Sequence, residues 1–178
     1  MKRSILSFLL VLALTMAALL GLSFGLQKTA SKNAQEAHLQ LMQTLLPGSK
    51  TFVIEPYTGE DANIRSVHKG ENGFVIETAT RGYADEIILL IGVSNEGKVT
   101  GLVIKDMHET LGLGFEALTD WEFLAQFLGS QGDAEVGTNV DAITGATVTS
   151  KAIARCVNSA VGYVTGADAD SGATSWGG

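Results

Sequence analysis

The sequence predicts an α+β fold: one domain with a mostly antiparallel sheet and packed helices, carried behind an N-terminal transmembrane helix. Three observations carry this reading. The chain opens with a long uncharged apolar run, its middle is a series of β-branched runs separated by short turn signals, and helical periodicity is confined to segments flanking that middle. A chain of 178 residues is enough for one domain of ordinary size.

The apolar run extends from Ile5 to Leu26, "ILSFLLVLALTMAALLGLSFGL". As a helix its ~22 residues reach roughly 33 Å, enough to cross a bilayer core. A cleaved signal peptide is the alternative, but its apolar region is shorter, and Lys28 stands where a small residue is wanted before Ala30. Lys2 and Arg3 precede the span and favour a cytoplasmic N-terminus. The expected organisation is therefore a cytoplasmic stub at 1–4, a single-pass anchor in the cell membrane at 5–26, an extracytoplasmic domain at 27–165 and a mobile tail at 166–178. The span itself holds no Asp, Glu, Lys, Arg or His, so it offers no ion path.

The segment "SKNAQEAHLQLMQTLLPGSK" reads as a helix. Ser31 or Asn33 can cap it, Leu39, Met42, Leu45 and Leu46 form its apolar stripe, and Pro47-Gly48 ends it. Strand signals follow at Lys50–Pro56, at "NIRSVHK" and at "GFVIETATRG", the last two joined across Gly70–Gly73. His68 in this region is expected to face solvent. The strongest pair is Ile87–Val93 and Val99–Ile104, joined by "SNEG". The nearly unbroken apolar run Ile87–Ile91 predicts a strand covered on both faces. A glycine-containing loop, "DMHETLGLGFE", comes next. "TDWEFLAQFLG" then reads as a helix capped by Thr119 or Asp120, with Trp121, Leu124, Phe127 and Leu128 inward. "TSKAIARCVNSAVGYV" reads as the last helix, burying Ile153, Val157, Ala160, Val161 and Val164, with Cys156 as a small buried thiol.

Composition excludes several chemistries. A net charge of −7 disfavours nucleic acid. The single cysteine rules out an internal disulfide and a thiolate-ligated cluster held by this chain alone. No metal site and no catalytic acid or base for a metabolite is expected.

The informative stretch is "DAITGATVTSKA", Asp141 to Ala152. Gly145 and Ala146 allow close approach of a ligand or backbone, Thr144, Thr147 and Thr149 supply hydroxyls, and the stretch opens into the last helix. Two readings stand at this point. Thr147 or Thr149 simply caps the helix, or the helix start receives an anion such as a phosphate, with Lys151 nearby.

"DAITGATVTS" resembles the flavinylation motif of the FMN-binding subunits of Rnf and Nqr ion-translocating redox complexes, and is closest to the Rnf G subunit. The resemblance implies that Thr149 takes FMN through a phosphoester. Asp141, Thr144, Gly145, Ala146, Thr147 and Val148 then form the frame read by a flavin transferase. "HETLGLG" resembles the family's second loop near the flavin, implying that Glu109, Thr110, Leu111, Gly112, Leu113 and Gly114 lie close to it; Leu111 stands where the family usually has proline. It further implies partners among the integral-membrane and redox subunits of such a complex, contact with membrane lipid, and electron flow coupled to Na⁺ or H⁺ movement. An electron shuttle of another redox chain and an anchored non-redox binding module are the competing functions. A second echo, "DADSGATSW" at Asp168–Trp176, has Trp176 at the acceptor position and Ser175 one residue early, so it is expected not to carry flavin.

Overall fold

The computed structural model describes Met16, Ala30 and residues 32–107 and 119–167. The chain divides into two compact units, Met1–Gln40 and Leu41–Gly178. In the first, the described residues are helical and, apart from half-buried His38, exposed. Apart from Met16, the expected anchor at 5–26 lies outside the described residues, as does the echo from Asp168 on. Among the described residues no helix is long and apolar enough to cross a membrane.

The second unit opens with helical residues 41–45, α1. Met42, Leu45 and Leu46 bury as the periodicity predicts. Five strands follow: β1 (Val53–Glu55), β2 (Ile64–Lys69), β3 (Gly73–Arg81), β4 (Glu86–Ser94) and β5 (Val99–Met107). They form one sheet in the order β1-β2-β3-β4-β5, every pair antiparallel. Short connections explain this meander, because a chain that reverses within a few residues can only pair with the strand it has just left. β1 is shorter than expected. The Glu71 carboxylate accepts from the amides of Lys50 and Thr51 (2.8 and 3.3 Å), which takes those donors away from the ladder.

Alternation along the strands divides the apolar residues between two faces. On one face Ile76, Ile87, Leu89, Ile91 and Val93 join the main core with the helices α2 (Trp121–Ala125) and α3 (Thr147–Thr165). On the other, Val75 and Leu90 pack with Met42, Leu45 and Leu46 of the α1 region. β4 thus serves both clusters, as its unbroken apolar run predicts. α1 settles on the sheet over a pair of facing glycines, Gly92 and Gly101. A Cβ at Gly92 would strike the Leu45 backbone. Thr100 Oγ1 donates to the Leu45 carbonyl at 2.5 Å, fixing the same approach. His68 is half-buried, with its ring 3.3 Å from Ser66 Oγ, and does not face solvent freely.

α2 departs from expectation. Asp120 does cap it, accepting from the Phe123 amide at 2.9 Å, but the helix ends at Ala125. Phe123 and Phe127 are its buried anchors, edge to face at 5.3 Å, whereas Trp121 is 71% exposed and Leu128 44%. With so few helical residues, the inward face is chosen by two aromatic side chains meeting the core and not by a helical stripe.

Candidate functional site

α3 has 19 residues and spans ~28 Å. It buries Ile153, Val157, Ala160 and Val161 as predicted, and it lies against β2, β3 and β4. It runs antiparallel to β3. Tyr163 meets the Phe74 ring at 5.6 Å, near the start of that strand, and Arg155 Nη2 donates to the Arg81 carbonyl at its end (3.4 Å). The N-terminal turn of α3 therefore extends toward the sheet end that carries the β3–β4 turn. β5 finishes at that end too, with Met107 paired to Ile87. The loop Glu109–Gly114 follows β5 in sequence but lies outside the described residues.

The predicted frame occupies the approach to α3. Asp141, Thr144, Gly145 and Thr147 are exposed, Val148 is 48% exposed and Ala146 is buried. Gly145 has φ of 83°, a conformation that costs glycine little and other residues about 1 kcal/mol or more. The turn closes with the Ala146 amide on the Ile143 carbonyl (2.9 Å). Both the amide and the hydroxyl of Ser150 donate to the Ala146 carbonyl, each at 2.9 Å.

The capping reading is not what the structure holds. Ala146 is the N-cap residue, and no side chain caps the helix. Thr147 is already the first helical residue and Thr149 the third, too far in for either hydroxyl to cap. Among the described residues the N-terminus of α3 has no side-chain cap, and no acidic residue stands in its first turn. Such a terminus attracts an anion. Thr149 is fully buried, and among the described residues its Oγ1 has no hydrogen-bond partner. A buried hydroxyl left unpaired costs about 1–3 kcal/mol, so Thr149 in this position lowers the stability of the chain. An oxygen in the first turn of an uncapped helix fits a phosphoester, with the helix amides available to the phosphate.

Amide side chains hold the segment ahead of this turn. Asn158, buried on α3, accepts from the Ala134 amide and donates to the Ala134 carbonyl, both at 3.0 Å. Asn139 accepts from the Glu135 amide (2.8 Å) and donates to the Asp133 carbonyl (2.7 Å). Gln126, just after α2, accepts from the Asp141 amide (2.7 Å) and donates to the Asp141 carbonyl (3.4 Å). Sequence reasoning missed these three, since a carboxamide binding loop backbone, near or far along the chain, leaves no periodic signal.

Two other features lie away from the frame. Burial pushes the Cys156 thiol up to about 12, against a smaller opposing effect of the nearby Thr78 hydroxyl. That hydroxyl is itself buried without a hydrogen bond of good geometry, so its contact with the thiol is proximity only. A cavity of about 260 Å³ opens beside Tyr57, Asp61, Ser159 and Tyr163 at the C-terminal end of α3, about 14 residues or ~21 Å along the helix from Thr149.

Comparison with known proteins supplies the remaining observation. The FMN-binding domain family matches residues 82–162, a range that contains the frame, both glycine-bearing loops and most of α3. The G subunit of the ion-translocating oxidoreductase complex of Methanosarcina acetivorans is 33% identical over 174 residues, covering 88% of this chain and 91% of that protein. The chain belongs to this G-subunit family. Its counterpart in Escherichia coli O157:H7 is 31% identical over 85% of this chain and 86% of that protein. The G subunit of the Na⁺-translocating ferredoxin:NAD⁺ oxidoreductase complex of Acetobacterium woodii is 38% identical, but the match spans only 50% of this chain and 47% of that protein. The crystal structure of Shewanella oneidensis NqrC superposes with a TM-score of 0.46 at 21% identity, over 69% of this chain and 68% of that one.

Proposed function

We propose that this protein is the FMN-carrying, electron-transferring G subunit of a membrane redox complex that couples electron flow to Na⁺ or H⁺ translocation, with the flavin held covalently on Thr149. The observation that carries the covalent part is the Thr149 hydroxyl: buried, unpaired, at the start of an uncapped helix and at the acceptor position of the motif. The relatives' names, subunits of ion-translocating complexes, support the partners and the membrane setting.

FMN supplies one- and two-electron redox chemistry, and the protein supplies position and electrostatics. Thr149 Oγ1 would anchor the phosphate, the first-turn amides of α3 would complement its charge, and the residues from Asp141 to Val148 would form the surface a transferase reads. Attachment would be a phosphoryl transfer: Thr149 Oγ1 would give up its proton and take the phosphorus, while the phosphorus–oxygen bond to the leaving phosphate half of an activated flavin phosphodiester breaks. Because Oγ1 is sealed in the folded chain, the cover over it has to move, or be unformed, during this step. The single-pass anchor at 5–26 places the domain outside the cytoplasm, where a tethered cofactor is not lost by dissociation. Partner subunits deliver and remove the electrons.

The test is to produce the chain with a flavin transferase and examine the denatured protein for ultraviolet fluorescence and added mass. A fluorescent band with an FMN adduct on the peptide containing Thr149, absent in Thr149→Val, is expected. An unmodified mass refutes covalent attachment, and an adduct on the peptide containing Ser175 refutes the assignment to Thr149. Copurification with membrane redox subunits separates a complex subunit from a free electron shuttle.

A further inference from the structure

We propose that Gln126 is the positioning residue of the acceptor segment, setting the backbone of Asp141 so that the Asp141–Thr149 frame is presented in one conformation. The inference rests on the reading of Thr149 as the flavin acceptor. Its basis is the way the segment is suspended. At the helix side, Ser150 returns both its amide and its hydroxyl to the Ala146 carbonyl. At the other side, the Gln126 carboxamide clasps both polar groups of the Asp141 backbone, as a paired strand would. Between these anchors lie Ala142 to Gly145, of which only Ile143 is even half-buried. Packing of the intervening turn is limited to Ile143, so apart from the Ala146–Ile143 hydrogen bond its geometry depends on its two ends.

Gln126 is well placed to act as an anchor. It follows directly on α2, whose Asp120 cap and Phe123–Phe127 pair root it in the main core. The clasp is solvent-exposed, so it contributes little to global stability, and its selective value lies in the segment it orders. The reaction chemistry is untouched: Gln126 makes its hydrogen bonds to Asp141 and none to the Thr149 hydroxyl, and it acts by raising the fraction of chains whose frame is ready for the transferase.

The experiment compares the kinetics of flavin incorporation by a transferase on the full chain carrying Gln126→Ala, Gln126→Met or Gln126→Glu. Losing two exposed hydrogen bonds should raise the apparent KM for this protein by roughly three- to tenfold in Gln126→Ala and Gln126→Met, with kcat unchanged. Gln126→Glu keeps the acceptor for the 2.7 Å bond and should recover to within about twofold of wild type. Gln126→Met retains the side-chain stem, which separates lost packing from lost hydrogen bonds. An unchanged KM in Gln126→Ala, a rate that rises instead of falling, or equal impairment in Gln126→Glu and Gln126→Met overturns the proposal. Wild type that takes up no flavin overturns the acceptor reading itself, which is a separate outcome.

Discussion

Asn158 offers the sharpest test of how the acceptor region is held. Its side chain is 6% exposed and makes two 3.0 Å hydrogen bonds to one residue, Ala134. Asn158→Ala removes both bonds and leaves the buried Ala134 amide and carbonyl facing an apolar gap. Each net bond is worth about 0.5–1.5 kcal/mol, and each stranded group costs about 1–3 kcal/mol. Part of that penalty is relieved by water reaching the loop, so a loss of about 2–4 kcal/mol is expected. Asn158→Asp sharpens the test, because it keeps an acceptor for the Ala134 amide but sets a carboxylate against the Ala134 carbonyl. Burial and that carbonyl raise the introduced carboxyl's pKa above its unfolded value. The protonated form, which can donate to the carbonyl, is then favoured in the folded state. Stability should therefore be highest below the unfolded pKa of about 3.9 and should fall as pH rises through the folded pKa. Urea unfolding at several pH values reads both variants. A loss below about 0.5 kcal/mol in Asn158→Ala, or a pH profile in Asn158→Asp identical to wild type, refutes the reasoning.

Further outcomes follow from other residues. Thr149→Val removes an unpaired buried hydroxyl and should stabilise the flavin-free chain by about 1 kcal/mol while abolishing attachment; differential scanning calorimetry and in-gel fluorescence read the two effects. Gly92→Ala drives a methyl into the Leu45 backbone and should cost about 2 kcal/mol or more, seen as a lowered Tm. Gly145→Ala meets φ of 83° and should cost about 1 kcal/mol and slow flavin incorporation, measured as gel fluorescence over time. Cys156 should resist alkylation by iodoacetamide in the native protein and react once unfolded, checked by mass. The Cys156 thiol is raised from its ordinary 9.0 to about 12, and Tyr163 is raised by burial and then by the Glu55 carboxylate. The folded chain thus binds more protons than the unfolded chain in alkali, and stability should fall as pH climbs from about 9 toward 12.

Much of the fold was legible because its signals are local. Alternation and β-branched runs placed all five strands, turn residues joined β2 to β3 and β4 to β5, and the unbroken run in β4 announced a strand buried on both faces. The last helix followed from Ile153, Val157, Ala160 and Val161. Legibility failed where tertiary contact decides. Nothing in the sequence around Trp121 says that Phe123 turns inward instead. The glutamate at position 71 shortens β1 from twenty residues away. At the site, the motif made Thr149 conspicuous, but two roles fitted its spacing. Only the position of the helix start, one residue after Ala146, removed capping and left the hydroxyl orphaned. Gln126, Asn139 and Asn158 were invisible for a related reason: each reads a backbone across a gap that the sequence does not encode as a pattern.

The seat of Thr149 has a mechanical consequence. Its helix is gripped by aromatic rings at Tyr163, clasped at Asn158 and embedded from Ile153 to Val157, and Thr149 stands just over one turn beyond Ile153. If Thr149 carries the flavin, the phosphate end is mounted on a rigid mast and only the ribityl chain beyond it is free to turn. The reach of such a group is then set chiefly by where the domain berths against its neighbours.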